Sequence, residues 1–389
     1  MTEYKTVVTR EIPVFRILAL TLTGFIAIMT ETMPVGLLEQ ISTGLNVTPS
    51  MAGQLVSVYA AGSFLSAVPV IAATRSVNRR ALLLTAVGGF LVMNLITAFA
   101  SGFGVILAAR FGAGVAAGIA WGLLTGFTVR LVSPEQQGKA LALMGIGQPL
   151  ALALGVPAAA WLSAWFAWQT LFLIISAISL LLFIWVRLAL PSVPGEARAE
   201  QRSLRDILLN SNILSVLLVL FFWVGAHNLM YTFVSQLLRS AGLENRLDWV
   251  LLTFGASSVI GIIVTGIFAD RCTRAVTLLA LGLFTVSGVV MLMAGQSLPA
   301  FTGAALLWGL AFGGAPTLLL KYLADFAGKD IDVAQSGFVT VFNMAVAGGA
   351  AAGGVVISLA GVNAIPLCFI GSTLLALMIF WLRIANRRA

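Results

Sequence analysis

The chain of 389 residues is 60% hydrophobic and 9% charged, and its formal net charge is +8. Soluble domains are about 45–50% apolar and about 25% charged, so this composition excludes an ordinary soluble protein, and its apolar content excludes a disordered chain. Two cysteines are too few for a secreted scaffold held by disulfides.

Long apolar runs follow one another along the chain, separated by short clusters of charged residues, Pro and Gly. A helix of about 20 apolar residues crosses a hydrocarbon core of roughly 30 Å. The first run is too long for the hydrophobic region of a signal peptide and contains Glu31, so we interpret it as a membrane span. We predict an all-α integral membrane protein with twelve spans: residues 14–38, 50–73, 80–100, 103–131, 138–162, 168–190, 211–237, 247–269, 275–296, 299–322, 333–360 and 363–384.

The distribution of Lys and Arg predicts the orientation of these spans. With the N-terminus in the cytoplasm, 19 of the 22 basic residues fall on inside segments or inner span ends. Only Arg239 and Arg246 fall outside, and Arg110 lies within a span. This is the positive-inside pattern, so we expect both termini in the cytoplasm. Because topology accounts for the basic charge, no nucleic-acid partner is needed.

The longest polar stretch, residues 191–206, divides the chain into halves of six predicted spans. Two short matches relate the halves: GIAWGLLTG at 118–126 is similar to ALLWGLAFG at 305–313, and ATRSVNRR at 73–80 is similar to ADRCTR at 269–274. We therefore predict two six-helix bundles related by pseudo-two-fold symmetry, as expected after duplication. The first would be residues 1–190 and the second residues 211–389, joined by a cytoplasmic linker at 191–210.

Twelve spans, a central loop and basic links after spans two and eight resemble the major facilitator superfamily. Its link motif is roughly G-x-x-x-D-R-x-G-R-R. The first link keeps three arginines of this motif without its acid, and the second keeps the acid and one arginine after Gly266. The resemblance implies a gating role for these residues: Arg75, Arg79, Arg80, Asp270 and Arg271.

RFGAG at 110–114 resembles the superfamily's span-four motif of a buried Arg before small residues. Two further stretches resemble its drug:proton antiporter branch: TETMPVGLL at 30–38, which is similar especially to sugar, arabinose and nucleoside efflux members, and a loose antiporter motif in span five that contains Pro149, Gly155 and Pro157. The prolines would bend their spans. The pairs Gly114-xxx-Gly118 and Gly349-xxx-Gly353 predict close helix packing.

Glu31 is the only carboxylate deep inside a predicted span, and Arg110 is the only basic residue at such depth. A charge in the membrane interior costs about 2.5–3.5 kcal/mol on insertion scales, so we interpret Glu31 as the proton-coupling carboxylate, with Arg110 as its neighbour. Each lies about 10 Å inside the outer end of its span, so the two meet if spans one and four are neighbours, as the superfamily fold implies. A static ion pair and a switching pair both remain open. Two alternatives for Glu31 also remain: an acid that lies at the outer interface, and one that is permanently hydrogen-bonded for packing.

Polar and amphipathic side chains within other spans are candidate substrate contacts. His227, the single histidine, shares a helix face with Tyr231 at i, i+4. Packing or a single hydrogen bond is an alternative role for His227 and for each tryptophan. An aromatic pocket with a few polar groups suits an organic ligand of modest size. The predicted set is Trp121, Gln148, His227, Asn228, Tyr231, Trp308 and Asn343.

These features predict proton-coupled efflux of sugars, nucleosides or drugs by alternating access, with drug resistance as an associated role. A proton-coupled importer on the same fold is the alternative. The sequence lacks a channel filter motif, an H-E-x-x-H motif and a nucleotide-binding loop, so a channel, an enzyme and an ATP-driven pump are disfavoured. We expect no cofactor and no metal, and a monomer in the bacterial inner membrane whose partners are its substrate, protons and the lipid bilayer. If Glu31 does not carry the proton, His227 is the next candidate.

Overall fold

The computed structural model describes residues 12–151, 155–163, 165–196 and 201–385. It is 88% helical, and these residues form no strand. Such a composition follows from the physics of a bilayer, because each backbone N–H and C=O in the hydrocarbon core needs a partner within the protein, and a helix supplies that partner internally.

The first half of the chain forms nine helices and turns that follow the first six predicted spans. Thr48 and Asn78 cap two of them, each by accepting a hydrogen bond from a backbone N–H of the first turn. The helices are α1 (Val14–Gly36), α2 (Leu38–Leu45), α3 (Pro49–Ala73), α4 (Arg79–Phe99), α5 (Phe103–Val129), α6 (Gln137–Gly145), α7 (Gly147–Leu150), α8 (Val156–Leu162) and α9 (Trp168–Ala189).

The described part of the predicted fifth span consists of α6, α7 and α8, and Pro149 lies within α7. The backbone keeps right-handed helical dihedral angles at Ile146, Ala151 and Gly155, which flank these helices. Pro149 has no N–H to donate to the helical ladder, and its ring disfavours a continuous helix. Gly147 packs directly against the backbone carbonyl of Thr21 on α1, a contact that leaves no room for a Cβ.

The second half begins with a short helix in the central linker and continues with six long or paired helices. They are α10 (Leu204–Leu208), α11 (Ser211–Ser240), α12 (Leu247–Met293), α13 (Leu298–Gly313), α14 (Ala315–Ala327), α15 (Ile331–Ala360) and α16 (Ile365–Ile379), followed by a π-helical turn at Phe380–Ile384. Helix α12 covers predicted spans eight and nine, and it leaves helical geometry at Cys272, where φ is −135° and ψ is 39°. The tenth predicted span divides into α13 and α14 at Gly314.

By length and composition, nine helical segments of the described residues are able to cross a membrane. Two of them, Glu244–Met293 with 50 residues and Leu298–Ala360 with 63 residues, each cover two predicted spans. Each described piece of the fifth span is too short to be counted. The nine segments therefore fit the twelve predicted spans, and the chain is a multi-pass membrane protein.

The described chain forms two compact units. One unit contains the described residues of Met1–Pro134, Leu143–Leu204 and Lys329–Thr340, and the other contains Glu135–Ala142, Arg205–Gly328 and Val341–Ala389. The beginning of α15 thus belongs to the first unit, and most of α6 belongs to the second.

Glycines permit close helix packing inside each unit. In the first unit, a Cβ on Gly114 of α5 would overlap the carbonyl oxygen of Tyr59 on α3. In the second unit, a Cβ on Gly349 of α15 would overlap the carbonyl oxygen of Gly225 on α11. The predicted close packing at these two glycines is confirmed. Neither contact leaves space for a larger side chain at the glycine position.

Candidate functional site

Glu31 and Arg110 come together inside the first unit. Glu31 lies on α1 and is half-buried, whereas Arg110 on α5 is completely buried. The guanidinium Nη2 of Arg110 lies 3.5 Å from the backbone carbonyl oxygen of Glu31, and its Nε donates a hydrogen bond to the carbonyl of Leu55 at 3.3 Å. Among the residues that the structure describes, no ion pair within 4 Å joins the two side chains. The two residues are therefore neighbours, and their contact is made by the backbone of Glu31.

An aromatic ring supports the buried guanidinium. The Cζ of Arg110 lies 4.9 Å from the ring centre of Tyr59 and 6.0 Å from that of Phe172. A cation over an aromatic face is stabilised by about 0.5–2 kcal/mol. The Tyr59 hydroxyl donates a 2.8 Å hydrogen bond to the carbonyl of Ala27, which fixes the ring to α1 one turn before Glu31. Tyr59 was absent from the predicted site, because nothing in the sequence places α3 against α5.

A second polar contact lies beside Glu31. The amide nitrogen of Asn94 on α4, which is completely buried, donates to the hydroxyl of Thr30 at 3.1 Å. Buried polar groups are costly unless they are hydrogen-bonded, so Thr30 and Asn94 stabilise each other in the apolar interior. Asn94 was not among the predicted site residues, although a lone Asn in an apolar span is a sequence signal that indicates such a contact.

Two predicted substrate residues of the first unit, Trp121 and Gln148, lie on different elements along α1. The half-buried Trp121 ring approaches Gly24, where a Cβ would lie 3.4 Å from the ring, and the Trp121 carbonyl accepts a hydrogen bond from Gln335 at 3.1 Å. Gln148 is half-buried on α7. Gly24 is seven residues before Glu31, so Trp121 lies about 10 Å along α1 from the carboxylate.

The second unit contains an aromatic cluster centred on His227 of α11. The imidazole ring is parallel to the ring of Phe312, with centres 3.7 Å apart and an angle of 8° between the planes. It also stacks on Tyr231 at 5.5 Å and on Phe254 at 5.6 Å. The indole Nε1 of Trp308 donates a 3.1 Å hydrogen bond to Nδ1 of His227. Three predicted residues, His227, Tyr231 and Trp308, are thus in direct contact.

The two predicted asparagines of the second unit are placed differently. The side-chain nitrogen of Asn228 donates to the carbonyl of Val224 at 3.0 Å, a bond within its own helix. Asn343 is half-buried on α15. Phe254 and Phe312 belong to the cluster but were not predicted, since a single Phe in an apolar span carries no signal that separates it from core packing.

The link between α3 and α4 carries the arginines of the first predicted motif, and acids from distant parts of the chain pair with them. Arg75 lies 2.6 Å from Glu196 and 3.1 Å from Asp330. Arg79 lies 2.7 Å from Asp332, which also pairs with Arg130 at 2.9 Å. The first copy of the motif lacks its own acid. The central linker supplies Glu196, the turn before α15 supplies Asp330, and the first turn of α15 supplies Asp332.

Other contacts tie the linker to the same link. The backbone N–H of Arg79 donates to Val193, that of Glu196 donates to Arg75, and Arg80 donates from Nη1 to the carbonyl of Leu190. All of these residues belong to the first unit, so the described beginning of the linker is part of that unit's structure.

Asp270 occupies the corresponding place in the second unit. One carboxylate oxygen accepts a hydrogen bond from the backbone N–H of Gly138 at 2.6 Å, and the other accepts from that of Lys139 at 3.0 Å. These amides lie in the first turn of α6, where a negative charge is stabilised by the helix dipole. Lys321 Nζ lies 3.6 Å from the same carboxylate, while Arg271 is exposed.

The remaining predicted motif residues lie along the fifth span. Pro149 is half-buried in α7, and Pro157 lies in the first turn of α8. Gly155 is buried, and a Cβ there would overlap the sulfur of Met29 on α1. Among the residues that the structure describes, no group of three or more His, Cys, Asp or Glu side chains is placed to hold a metal ion.

A family model described as Major Facilitator Superfamily matches residues 20–246. The chain belongs to the major facilitator superfamily. It is a transporter and not an enzyme, and the superfamily binds small-molecule substrates.

Named relatives agree with this assignment. The chain is 26% identical over 378 residues to a "Probable sugar efflux transporter" of Mannheimia succiniciproducens, an alignment that covers 94% of this chain and 92% of that protein. Among solved structures, it is similar to the human organic anion transporter MFSD10, with a TM-score of 0.74, 20% identity, and coverage of 95% and 99% of the two chains. It is also similar to the proton:xylose symporter XylE, with a TM-score of 0.77, 13% identity and 96% coverage of each chain. The two structures share the fold of this transporter.

Proposed function

We propose that this transporter exports a small organic solute in exchange for protons, and that the solute is a sugar. The observation that carries the proposal is the position of Glu31, a half-buried carboxyl group whose backbone lies against a completely buried guanidinium. Burial disfavours a charged carboxylate, whereas the nearby positive charge favours it. Opposing influences of this kind allow a carboxyl group to gain and lose a proton at ordinary pH.

Arg110 serves in this proposal as a fixed charge. It is held by the Leu55 carbonyl, the Tyr59 ring and the Glu31 backbone, none of which changes when Glu31 takes up a proton. An arginine does not lose its own proton under physiological conditions. Proton uptake by Glu31 therefore changes the net charge of the pair from zero to +1, and that change is what we propose the substrate site responds to.

The transport cycle has three steps. Facing outward, Glu31 takes up a proton and substrate is released. The protonated carboxyl group passes through the occluded state at lower desolvation cost than a carboxylate. Facing inward, Glu31 releases the proton to the cytoplasm and a new substrate binds. Alternating access would arise from rocking of two six-helix bundles, residues 1–190 and 211–389.

The proposed substrate class rests on two observations. A relative that aligns with 94% of this chain is named a sugar efflux transporter. The aromatic cluster around His227 offers flat apolar surfaces with polar edges, which suit the apolar face and hydroxyl groups of a sugar. We further propose an inner-membrane location with both termini in the cytoplasm, on the basis of the positive-inside pattern.

Transport by Glu31→Gln in sealed vesicles tests the coupling. The substitution keeps the shape of the side chain and removes its proton exchange, so pH-driven sugar accumulation should be lost while exchange of sugar without a gradient continues. Glu244→Gln is the matched control, because Glu244 is exposed on a short turn before α12 and should transport normally. Accumulation by Glu31→Gln at the wild-type level would eliminate Glu31 as the proton carrier. Sugar that moves with protons rather than against them would favour the importer.

A further inference from the structure

The hydrogen bond between Trp308 and His227 determines where the imidazole carries its proton. An indole N–H is a donor and never an acceptor, so Nδ1 of His227 must present a lone pair to it. A charged imidazolium has protons on both nitrogens and has no such lone pair. The 3.1 Å contact is therefore compatible only with neutral His227 protonated at Nε2.

The surroundings of the ring are uncharged. The groups that face it from α12 and α13 are Phe254, Trp308 and Phe312, and from its own helix Tyr231. Tyr231 is the only titratable group among these four, and none of the four carries a fixed charge. None of the ion pairs between described residues includes His227.

One side of the cluster is open. Tyr231 is 46% exposed, while Trp308 behind it is completely buried. His227 is half-buried between them. The cluster thus has a buried end at Trp308, which donates to the imidazole, and an exposed aromatic side chain at Tyr231.

We infer that Trp308 holds His227 as a permanently neutral hydrogen-bond donor, whose Nε2–H recognises a hydroxyl or ring oxygen of an uncharged polyhydroxylated solute that stacks on Tyr231. The substrate class in this inference rests on the proposed function, and the protonation of His227 does not. A charged solute would lose water at this face without meeting a charge of opposite sign. His227 then selects and orients substrate and is not a second proton carrier.

The single histidine of the chain makes the protonation directly measurable. With ¹⁵N-labelled histidine, the ring nitrogens of His227 are the only ones observed by NMR in detergent or nanodiscs. Wild-type protein should give the neutral Nε2–H form unchanged between about pH 5 and 8, although a free histidine titrates near about 6.5. A charged ring at pH 6, or a neutral ring protonated at Nδ1, would overturn the inference.

Variants separate the role of Trp308 from general packing. Trp308→Phe keeps an aromatic ring and removes the donor, so His227 should then titrate or populate both neutral forms. Trp223→Phe is the matched control, because Trp223 is a completely buried tryptophan on α11 that packs on Phe284 and makes no ring contact with His227. Equal spectra for the two variants would show that the hydrogen bond does not fix the tautomer.

Equilibrium binding tests the solute class without any proton gradient. The probes are glucose, glucosamine and glucuronate, which share a ring and differ in charge. Glucose should bind at least roughly tenfold more tightly than either charged sugar, because only the neutral ring leaves no uncompensated charge among the aromatic side chains. Equal binding of the charged sugars, or no binding of glucose, would overturn the assignment.

Two replacements of His227 test its Nε2–H as the donor. Gln places its amide near the position of Nε2, whereas the shorter Asn reaches only the position of Nδ1. His227→Gln should bind glucose within about threefold of wild type, and His227→Asn should lose roughly tenfold, the worth of one hydrogen bond. Equal losses of glucose affinity in the two variants would show that Nε2–H is not the donor. These measurements need no transport, so they can fail while the Glu31 experiment succeeds, and the reverse.

Discussion

Neutralising Asp332 should destabilise the first unit more than any single surface change. Asp332 is completely buried, and its two oxygens pair with Arg79 at 2.7 Å and with Arg130 at 2.9 Å. The Arg79 side chain is 1% exposed, and among the described residues one further acid lies within 4 Å of it, Glu196 at 3.7 Å. In Asp332→Asn a buried guanidinium therefore keeps its charge and loses its nearest counter-ion.

Removing one partner of a buried ion pair costs about 3–5 kcal/mol, because the remaining charge is left in a medium of low polarity. Glu196 continues to compensate part of the Arg79 charge, and the Arg130 side chain is 24% exposed and can hydrate. Both facts place the expected loss near the lower end, at about 3 kcal/mol. Arg202→Gln is the control, since Arg202 is 56% exposed and 3.5 Å from Asp330, and an exposed pair contributes about 0–1 kcal/mol.

The free energy of unfolding is measured by denaturation of the purified protein in mixed micelles, followed by tryptophan fluorescence. A double-mutant cycle with Arg130→Gln isolates the pair, and the second substitution should cost less when Asp332 is already neutral. If the free energy of unfolding of Asp332→Asn lies within about 1 kcal/mol of the wild-type value, the buried network has no stabilising role. A loss no larger than that of Arg202→Gln would lead to the same conclusion.

Three further outcomes are expected. Arg110→Ala should insert into the membrane and lose transport, because the fixed charge beside the proton site is gone; normal transport at wild-type expression would argue against a functional pair. Gly114→Ala should destabilise the protein by about 1–3 kcal/mol, since its Cβ overlaps the carbonyl of Tyr59. Gly104 on the same helix has open space around it, so Gly104→Ala is the control and should not destabilise the protein. Chemical denaturation of both variants measures the difference. A cysteine at Ser192 in a cysteine-free background should react with an impermeant maleimide only from the cytoplasmic side, and labelling from outside intact cells would reverse the predicted orientation.

Membrane spans were readable from the sequence wherever a run of apolar residues ended in charge or Pro. The helices Arg79–Phe99 and Trp168–Ala189 begin and end within a residue of their predictions, because Asn78, Ser101 and the polar linker stop the apolar runs abruptly. The packing of span five was less predictable. Proline indicates a bend, but the close approach of Gly147 to α1 is a tertiary contact that no local pattern indicates.

The functional site was predictable where a residue was rare or where its partner was local. Glu31 and Arg110 stand out as charges in apolar spans, and His227 and Tyr231 stack as their i, i+4 spacing predicts. Partners from distant segments were missed. Tyr59 meets Arg110 only because α3 packs on α5, and no local pattern indicates it.

The ion pairs of Asp332 can form only late in the synthesis of the protein. Arg130 precedes Asp332 by 202 residues, and Arg79 emerges from the ribosome earlier still. At about 5–20 residues per second, roughly 10–40 s pass between translation of Arg130 and of the acid that neutralises it. During that interval the Arg79 side chain, which the folded protein buries, lacks its nearest counter-ion. A substitution at Asp332 can therefore change the stability of segments that were translated long before it.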